Sequence, residues 1–487
     1  MSSRPPLPTT ERPTRKAVGR RVACAALLAA VVATVGTGAH RPAPAAAQAA
    51  DDRPNVVLVL TDDQTLENQW VLRYVNHELG RRGTTFSDAV VSFPLCCPSR
   101  ATMLTGQYAH NHGVLGNHWP RGGYRALDHT NTLATWLDEA GYYTAFVGKY
   151  LNGYGDRDTP AVVPPGWDDW FAKVAPGHVY YGYTVLDDDT FLHFHGDPED
   201  YSTDVYAAHA AEVVRSRAGQ DEPFFLEVAP LAPHGADGNQ STPAPRHLGR
   251  FEDAPVPRPP SFNEADVSDK PAAVADRPLL DEAAVAALDV RYRRRLESLL
   301  AVDDLVRGLV DALEEIGEYE DTIIIFTSDN GFMEGQHRIA QGKVLPYEES
   351  VRVPLLVAGP GFPAGVGVHV PVANVDIAPT IVAAAEATPA RVMDGVPLQS
   401  VVADPAAYED RAILLEAFGA APYAGVRTAE WTWVEHATGE TELYHLGRDP
   451  YQLENRAADP RLATDREWLH ALLERLRTCA GPSCEAR

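Results

Sequence analysis

Lysine is the charged residue type that this chain uses least. Of its 487 residues, 42 are basic, but only 5 of these are lysine and 37 are arginine. Acidic residues outnumber basic ones, and the formal net charge is −25. This excess of negative charge argues against binding to nucleic acid or to a long polyanion over a general surface. Because arginine serves almost everywhere else, Lys149 and Lys343 stand out as positions where a compact, deprotonatable cation is needed.

The chain also lacks an apolar run long enough to cross a bilayer. Its N-terminal apolar run, residues 22–35, is short for a membrane span. An arginine pair precedes this run and small residues follow it, with candidate cleavage after Ala39 or Ala49, as in a signal peptide. We therefore expect residues 1–50 to be a signal peptide and a disordered lead-in, and the mature chain to be secreted without a transmembrane segment. The export route, general or twin-arginine, stays open.

The five cysteines of the chain fall into three groups. Cys24 lies at the start of the apolar run and not at its end, which argues against a lipoprotein signal. Cys479 and Cys484 flank a short Gly-Pro turn, and in an exported chain they are predicted to form a disulfide. Cys96 and Cys97 are then left without a partner.

Buried strands alternate with helices along the chain and predict an α/β fold. The predicted strands cover residues 55–61, 142–147, 224–230, 322–327 and 353–357. Polar side chains follow four of these strands: Asp62, Asp63, Lys149, His234, Asp329 and Asn330. Open α/β sheets bind ligands at this edge. Adjacent carboxylates there need a cation, and oxygen ligands favour Ca²⁺ or Mg²⁺. A solvated acidic turn and an ordinary loop histidine are the alternative interpretations.

Three other segments carry expectations of their own. Residues 153–203 are rich in Gly, Pro, Asp and Tyr and predict loops that form a rim over the site. Residues 282–316 predict a helix, on which we expect Arg293, Arg294 and Arg295 to be solvated. Beyond residue 400, short strands at 412–416, 431–435 and 442–446 and a helix at 465–477 predict a smaller unit.

The stretch from Leu95 to Gly106 contains the candidate nucleophile. Pro98 suits a first helical turn and Gly106 a helix end, which places Cys96 just before a helix N-terminus. Free N–H groups and the helix dipole favour an anion or an ionised nucleophile there. Arg100, one turn further on, can hold an oxyanion. A pair of buried structural cysteines is the alternative.

This stretch resembles the signature of the type I sulfatases, C-x-P-S-R followed by A-x-x-L-T-G-x-Y. The segments T-D-D-Q, G-K-Y-L-N, A-P-H, S-D-N-G and V-D-I-A-P-T resemble further landmarks of that family, in the same order. The resemblance covers nearly the whole mature chain. It implies an alkaline-phosphatase-like three-layer α/β/α sandwich, with a catalytic domain over residues 51–400. A smaller C-terminal domain of antiparallel sheet plus helix would follow over residues 401–487.

The same resemblance implies a site and a reaction. Cys96 would be converted to formylglycine by a formylglycine-generating enzyme, while Cys97 fills a variable position. The reaction would be hydrolysis of a small sulfate ester or a sulfated sugar. One Ca²⁺ would be held by Asp62, Asp63, the modified Cys96, Asp329 and Asn330. The catalytic and sulfate-binding residues would be Cys96, Arg100, Lys149, His234 and Lys343.

Two short motifs, Y-L-N at 150–152 and H-N-H at 110–112, resemble the N-acetylglucosamine-6-sulfatase and heparan 6-sulfatase branch. This implies a glycan carrying 6-O-sulfated glucosamine as substrate. Many sulfatases have a catalytic histidine two residues after the lysine, where this chain has Leu151. Asn152 and His337 are candidates for the proton handling that this departure leaves unassigned. His110 and His112 are candidates for sugar contacts, and all four residues can instead be structural.

Other functions stay open alongside this one. An arylsulfatase, or a phosphodiesterase or phosphonate monoester hydrolase, can share both the fold and the formylglycine. A non-catalytic, Ca²⁺-dependent glycan-binding protein with unmodified Cys96 is the alternative from another functional class.

Overall fold

The computed structural model describes residues 51–236 and 239–486. The predicted signal peptide and lead-in lie outside the described residues. None of the helices in the described part is long and apolar enough to cross a membrane. The described chain belongs to one compact unit that begins at Ala50. The domain boundary at residue 400 therefore stays a prediction.

Sixteen strands are present in the described residues. They are β1 (Asn55–Thr61), β2 (Gly83–Phe86), β3 (Ala89–Val90), β4 (Tyr143–Gly148), β5 (Asp169–Val174), β6 (Thr184–Asp187), β7 (Thr190–His193), β8 (Phe224–Ala229), β9 (Thr322–Ser328), β10 (Leu355–Ala358), β11 (Val366–Val368), β12 (Val372–Ala373), β13 (Ile413–Ala417), β14 (Tyr423–Arg427), β15 (Trp431–His436) and β16 (Thr441–His445).

Eleven α-helices accompany them in the same part of the chain. They are α1 (Arg73–Arg82), α2 (Cys96–Thr105), α3 (Ala109–His112), α4 (Leu133–Glu139), α5 (Ser202–Ser216), α6 (Ala272–Ala275), α7 (Glu282–Ile316), α8 (Glu348–Val351), α9 (Ile377–Ala384), α10 (Leu398–Ala403) and α11 (Ala463–Leu476).

A ten-stranded sheet forms the centre of the molecule, in the order β11-β2-β10-β9-β1-β8-β4-β5-β6-β7. Strands β9, β1, β8, β4 and β5 run parallel to one another, and β10 is antiparallel to β9. In register, Val57 of β1 lies beside Leu226 of β8 and Ile324 of β9. The C-terminal ends of β1, β4, β8 and β9 therefore lie at one edge, as the sequence predicts.

Helices cover both faces of this sheet. Alternate residues of β1 enter different cores, with Val56 and Leu58 on one face and Val57 and Val59 on the other. Residues of α2, α4, α9 and α10 complete the first core, and residues of α1, α5 and α7 complete the second. This confirms the predicted three-layer α/β/α fold, in which strands buried on both faces are apolar throughout.

A second, four-stranded antiparallel sheet follows, in the order β13-β14-β15-β16. It packs with α11 in a core that also contains Val90 and Phe93 from the first part of the chain. The antiparallel sheet plus helix confirms the prediction, but strand β14 was not expected. Gly425 interrupts its pattern, and a Cβ there would meet the backbone oxygen of Trp433 at 2.7 Å. The predicted Cys479–Cys484 disulfide is present.

The structure overturns two predictions about local structure. Residues 153–203 are not merely loops, because β5, β6 and β7 extend the central sheet within this segment. Their strands are short and separated by turns rich in glycine and aspartate, so the composition hid them. Arg295 is not solvated but 1% exposed. It lies on the face of α7 that also buries Leu288, Tyr292 and Leu299.

Candidate active site

The edge where β1 ends carries two buried carboxylates, those of Asp62 and Asp63. Asp63 has a φ of 64°, in the left-handed region that aspartate tolerates better than most residues. Cys96 faces this pair from the first turn of α2, so it lies inside the helix and not just before it. Ligand atoms of Asp62, Asp63, Cys96 and His234 all lie within 4.8 Å of one another. Two separate strand ends and one helix thus converge on one point.

The end of β9 adds Asp329 and Asn330 to the same cluster. The backbone N–H of Asp63 donates to Asp329 Oδ1 at 3.1 Å, and Asn330 Nδ2 donates to Asp63 Oδ1 at 2.6 Å. Both residues are fully buried. The sequence predicts Asp62, Asp63, Asp329 and Asn330 at one sheet edge, and their placement agrees with it. Cys96, which the family resemblance adds to this set, lies beside them.

Three cations lie among these three carboxylates. Lys149 bonds to Asp62, and Lys343 bonds to Asp63. Lys343 Nζ also lies 2.8 Å from the sulfur of Cys96. Arg100 Nε donates to Asp329 Oδ2 at 2.9 Å. These formal charges cancel, so a divalent cation would make the cluster net positive and suited to an anion.

The packing of the cluster shifts the pKa values of its groups. Burial alone would raise the pKa of Asp62, but Lys149 and the neighbouring cations hold that pKa well below its usual range. Burial and the charge of Asp62 raise the pKa of Asp329 to about 6. Burial also raises the pKa of the Cys96 thiol to about 12. Burial thus opposes the ionisation of the unmodified thiol, whereas the nearby Lys149 and Lys343 favour it.

The donor set of the cluster fits a hard cation. Side-chain oxygens come from Asp62, Asp63, Asp329 and Asn330, which are the ligand types that Ca²⁺ and Mg²⁺ prefer. Because Lys149, Lys343 and Arg100 already pair with the three carboxylates, the fit to a metal rests on this set of oxygen ligands and not on uncompensated charge. The residues present therefore fit the Ca²⁺ that the sequence leads us to expect.

His234 lies beside the cluster, and the other three predicted histidines do not. His234 Nε2 is 3.6 Å from Asp63 Oδ2. The ring nitrogens of His110 contact Glu416 and the carbonyl of Cys479, which join this histidine to the C-terminal part of the chain. Sugar contacts by His110 would have to displace these partners.

His112 and His337 are enclosed by the protein. His112 is 6% exposed and contacts Thr102 at 3.1 Å, while burial lowers its pKa to about 3. His337 is 0% exposed and contacts Glu264 at 2.6 Å. Neither presents a free face to a substrate, because the side chains around them already fill that space.

Two residues at the site escaped the sequence analysis. His178 stacks on His234 with ring centroids 4.5 Å apart, and it lines a cavity with Lys149 and Asn152. It lies in an irregular turn after β5, where no periodic signal could identify it. Arg295 donates to the carbonyl of Asp63 and pairs with Glu334 at 3.0 Å. The apolar period of α7 would have placed Arg295 on the buried face.

Comparison with known proteins finds two matching family models. Residues 54–387 match the model described as Sulfatase, and residues 335–479 match N-sulphoglucosamine sulphohydrolase, C-terminal. The N-acetylglucosamine-6-sulfatase of Homo sapiens is 33% identical over 483 residues, which cover 89% of this chain and 86% of that protein.

A Caenorhabditis elegans homolog of extracellular sulfatase Sulf-1 is 36% identical over 363 residues, or 72% of this chain. The chain spans half the length of that nematode protein. Among solved structures, that of BT4656 in complex with its substrate D-glucosamine-2-N,6-O-disulfate has a TM-score of 0.74 and 24% identity. The match covers 87% of this chain and 97% of that one, and it shows the shared fold.

Proposed function

Because the chain belongs to the sulfatase family, we propose that it hydrolyses the 6-O-sulfate ester of N-acetylglucosamine units in a glycan. The observation that carries the proposal is the contact of Cys96 with Lys343, at 2.8 Å, inside a cluster of oxygen ligands and cations. The similarity to the human N-acetylglucosamine-6-sulfatase over most of both chains supports this substrate.

The first part of the proposal is conversion of Cys96 to formylglycine by a formylglycine-generating enzyme. A thiol with a pKa of about 12 is protonated at neutral pH and is a poor nucleophile. The aldehyde that replaces it supplies, as its hydrate, an oxygen nucleophile with a second hydroxyl that allows sulfate to be expelled. Cys97 is fully buried and would stay a thiol.

The second part concerns the residues that hold the sulfate group. Lys149 and Lys343 flank Cys96, and charge on a sulfuryl oxygen would be stabilised by their ammonium groups. Arg100 contributes Nη2, which lies 3.5 Å from Asp62 Oδ2 and has no hydrogen-bond partner among the described residues. A sulfate oxygen would supply the hydrogen bond that this buried donor lacks.

The third part is the transfer of a proton to the leaving alcohol. Anionic neighbours, with Asp63 first among them, keep the pKa of Lys343 well above its usual value despite burial, so this lysine is protonated. His234 lies within reach of the same carboxylate. Lys343 can donate the proton that a poor alkoxide leaving group needs. Burial lowers the pKa of His234, so this histidine can donate only in the protonated form that lower pH favours. Leu151 stands where many sulfatases have a catalytic histidine. Asn152 is a better candidate than His337 for the proton handling of that histidine, because His337 is fully enclosed.

One Ca²⁺ would be held by Asp62, Asp63, Asp329, Asn330 and the modified Cys96. A bound cation there would act as a Lewis acid and lower the pKa of an adjacent hydroxyl.

We also propose that the chain is exported, which agrees with its disulfide and with the extracellular sulfatase among its relatives.

A substrate panel tests the proposal. Protein co-produced with a formylglycine-generating enzyme is assayed for kcat/KM on N-acetylglucosamine-6-sulfate, 4-nitrocatechol sulfate, 4-nitrophenyl phosphate and a phosphonate monoester. We expect both sulfates to be cleaved, with the sugar sulfate preferred. A preference for the phosphate or phosphonate ester would identify the related hydrolase instead. Cleavage of the aryl sulfate alone would refute the glucosamine substrate but not the sulfatase activity. Calcium-dependent glycan binding without turnover would identify the non-catalytic alternative.

A further inference from the structure

A small cavity beside Lys149 adjoins a much larger one and shares part of its wall. The inner cavity has a volume of about 180 Å³ and is lined by Lys149 and His178, among others. The outer cavity has a volume of about 720 Å³ and contains Trp119 and Arg125 in its wall. His118, Asn152, Gly153, Asp156 and Pro176 line both cavities. The inner space is below the usual range of ligand pockets, whereas the outer one lies within it.

Trp119 projects from a tight loop at the outer cavity. Backbone hydrogen bonds from Leu115 to Arg121, at 2.7 Å, and from Gly123 to Gly116, at 2.9 Å, close this loop. A Cβ on Gly122 would meet the backbone oxygen of Gly116 at 1.7 Å, so only glycine allows the approach. The loop is therefore held in one shape, and the tryptophan is presented in advance of any ligand.

The indole of Trp119 is 55% exposed, and the Arg125 guanidinium lies 4.6 Å from its centroid. Trp70 is 50% exposed but packs edge-on against Phe251 and donates to Tyr292. Trp119 has no comparable packing or hydrogen-bond partner among the described residues. A large aromatic face held open beside a cavity is the kind of surface that packs against the apolar C–H face of a sugar ring.

Polar groups around this cavity also lack partners. Asn152 Oδ1 is buried without a hydrogen bond. The exposed side chains of Asp156, Arg157 and Asp158 form no hydrogen bond or ion pair with the described residues. Charged side chains on a surface rich in ion pairs normally have a partner. Donors and acceptors without partners around an aromatic ring can instead form hydrogen bonds with the hydroxyl groups of a sugar.

We propose that the outer cavity binds the sugar unit attached to the sulfated residue, with Trp119 as its stacking platform and Asn152 at the junction. This inference rests on the proposed function and makes an oligosaccharide a better substrate than the free monosaccharide. The sulfate lies in the cluster between Lys149 and Lys343, the sulfated sugar extends through the inner cavity beside Lys149, and the next ring lies against Trp119. Tyr124 N–H donates to the carbonyl of Asn152 at 2.7 Å, which ties the loop to the junction.

The test compares two substrates in three variants of the matured, full-length enzyme. The substrates are a tetrasaccharide with 6-sulfated glucosamine at its non-reducing end and N-acetylglucosamine-6-sulfate. The variants are Trp119→Ala, Trp119→Phe and the control Trp468→Ala, since Trp468 is 43% exposed on α11. We expect Trp119→Ala to lower the tetrasaccharide-to-monosaccharide ratio of kcat/KM about tenfold. Trp119→Phe should recover most of that ratio, and Trp468→Ala should not change it.

An unchanged ratio in Trp119→Ala, or a loss in Trp119→Phe as large as in Trp119→Ala, would overturn the inference. If the wild type cleaves 4-nitrocatechol sulfate but neither sugar, the glucosamine proposal fails separately. The cavity is then tested by inhibition of aryl sulfate cleavage with the desulfated tetrasaccharide. An inhibition constant raised about tenfold in Trp119→Ala supports the sugar site, and equal constants, or no inhibition of the wild type, refute it.

Discussion

The cluster at the sheet edge and the outer cavity differ in whether their charged side chains are buried and paired. In the cluster, Asp62, Lys149 and their neighbours are buried and paired with one another. Around the outer cavity, Asp156 and Arg157 are exposed and unpaired. Buried pairs are fixed by strand ends and are costly to change singly. Exposed groups on loops can change at little cost to stability. The comparison agrees with the proposals that the reaction takes place at the sheet edge and that preference among substrates depends on the loops.

Removal of the proposed Ca²⁺ should have the largest effect on activity and stability. We expect exhaustive chelation to abolish activity and to lower the melting temperature, because a ligand at 100 times its Kd stabilises the folded state by about 2.7 kcal/mol. Calorimetry and turnover before and after Ca²⁺ is restored measure both effects. Full activity in the chelated enzyme would show that the carboxylates of the cluster need no cation.

Substitution of Lys343 should rank next. We expect Lys343→Ala to lower kcat on 4-nitrocatechol sulfate by about 10²–10³-fold, the cost of one preorganised charge-stabilising group. Lys270→Ala is the matched control, because Lys270 is also buried but bonds to the carbonyl of Leu453 outside the cluster. The control should lose stability yet keep its kcat. Comparable losses of kcat in both variants would mean that loss of any buried lysine impairs the fold, and would refute a specific role of Lys343 in the reaction.

Arg295 supports the cluster from behind, and its loss should reduce stability. We expect Arg295→Ala to destabilise the protein by about 3–5 kcal/mol, because Glu334 would be left as a buried, unpaired acid. Arg293→Ala, on the solvent side of the same helix, should cost about 1 kcal/mol, because Arg293 loses a hydrogen bond to the carbonyl of Ala254 and leaves no buried acid behind. Denaturant unfolding of both variants measures the difference. Equal costs would contradict a specific role for the buried pair.

The outer cavity should show the smallest effect on stability. We expect Asp158→Asn to change the free energy of unfolding by less than about 0.5 kcal/mol, since this side chain is exposed and unpaired. Thermal unfolding checks this value against that of Arg295→Ala. A large loss of stability in Asp158→Asn would mean that the exposed groups around the cavity stabilise the fold, contrary to the comparison.

The sequence predicts most of the sheet and of the cluster because strand ends have a fixed geometry. A buried apolar run followed by Asp62 or by Asp329 places each residue at the same edge, whatever the loops do. The family-level prediction is confirmed by the matching family model. The individual roles of the site residues stay predictions, as do formylglycine and Ca²⁺.

What the sequence could not predict depends on packing between distant segments. The burial that raises the pKa of the Cys96 thiol depends on segments that are distant in the sequence. The enclosure of His337 by Tyr347 and Glu264 has the same origin. His178 reaches His234 only because β5 joins the sheet next to β4. By contrast, the burial of Arg295 was readable from the helical period of α7, and the three consecutive arginines concealed it.

Peptide mass spectrometry of the active enzyme tests the central claim most directly. The central claim is that an aldehyde derived from Cys96 is the reacting group. In protein co-produced with a formylglycine-generating enzyme, the account predicts formylglycine at Cys96, an intact thiol at Cys97, and activity that rises in proportion to the aldehyde content. Cys97→Ala should retain the aldehyde and the activity, and Cys96→Ala should have neither. Sulfate ester hydrolysis by protein whose Cys96 is an intact thiol would contradict the account.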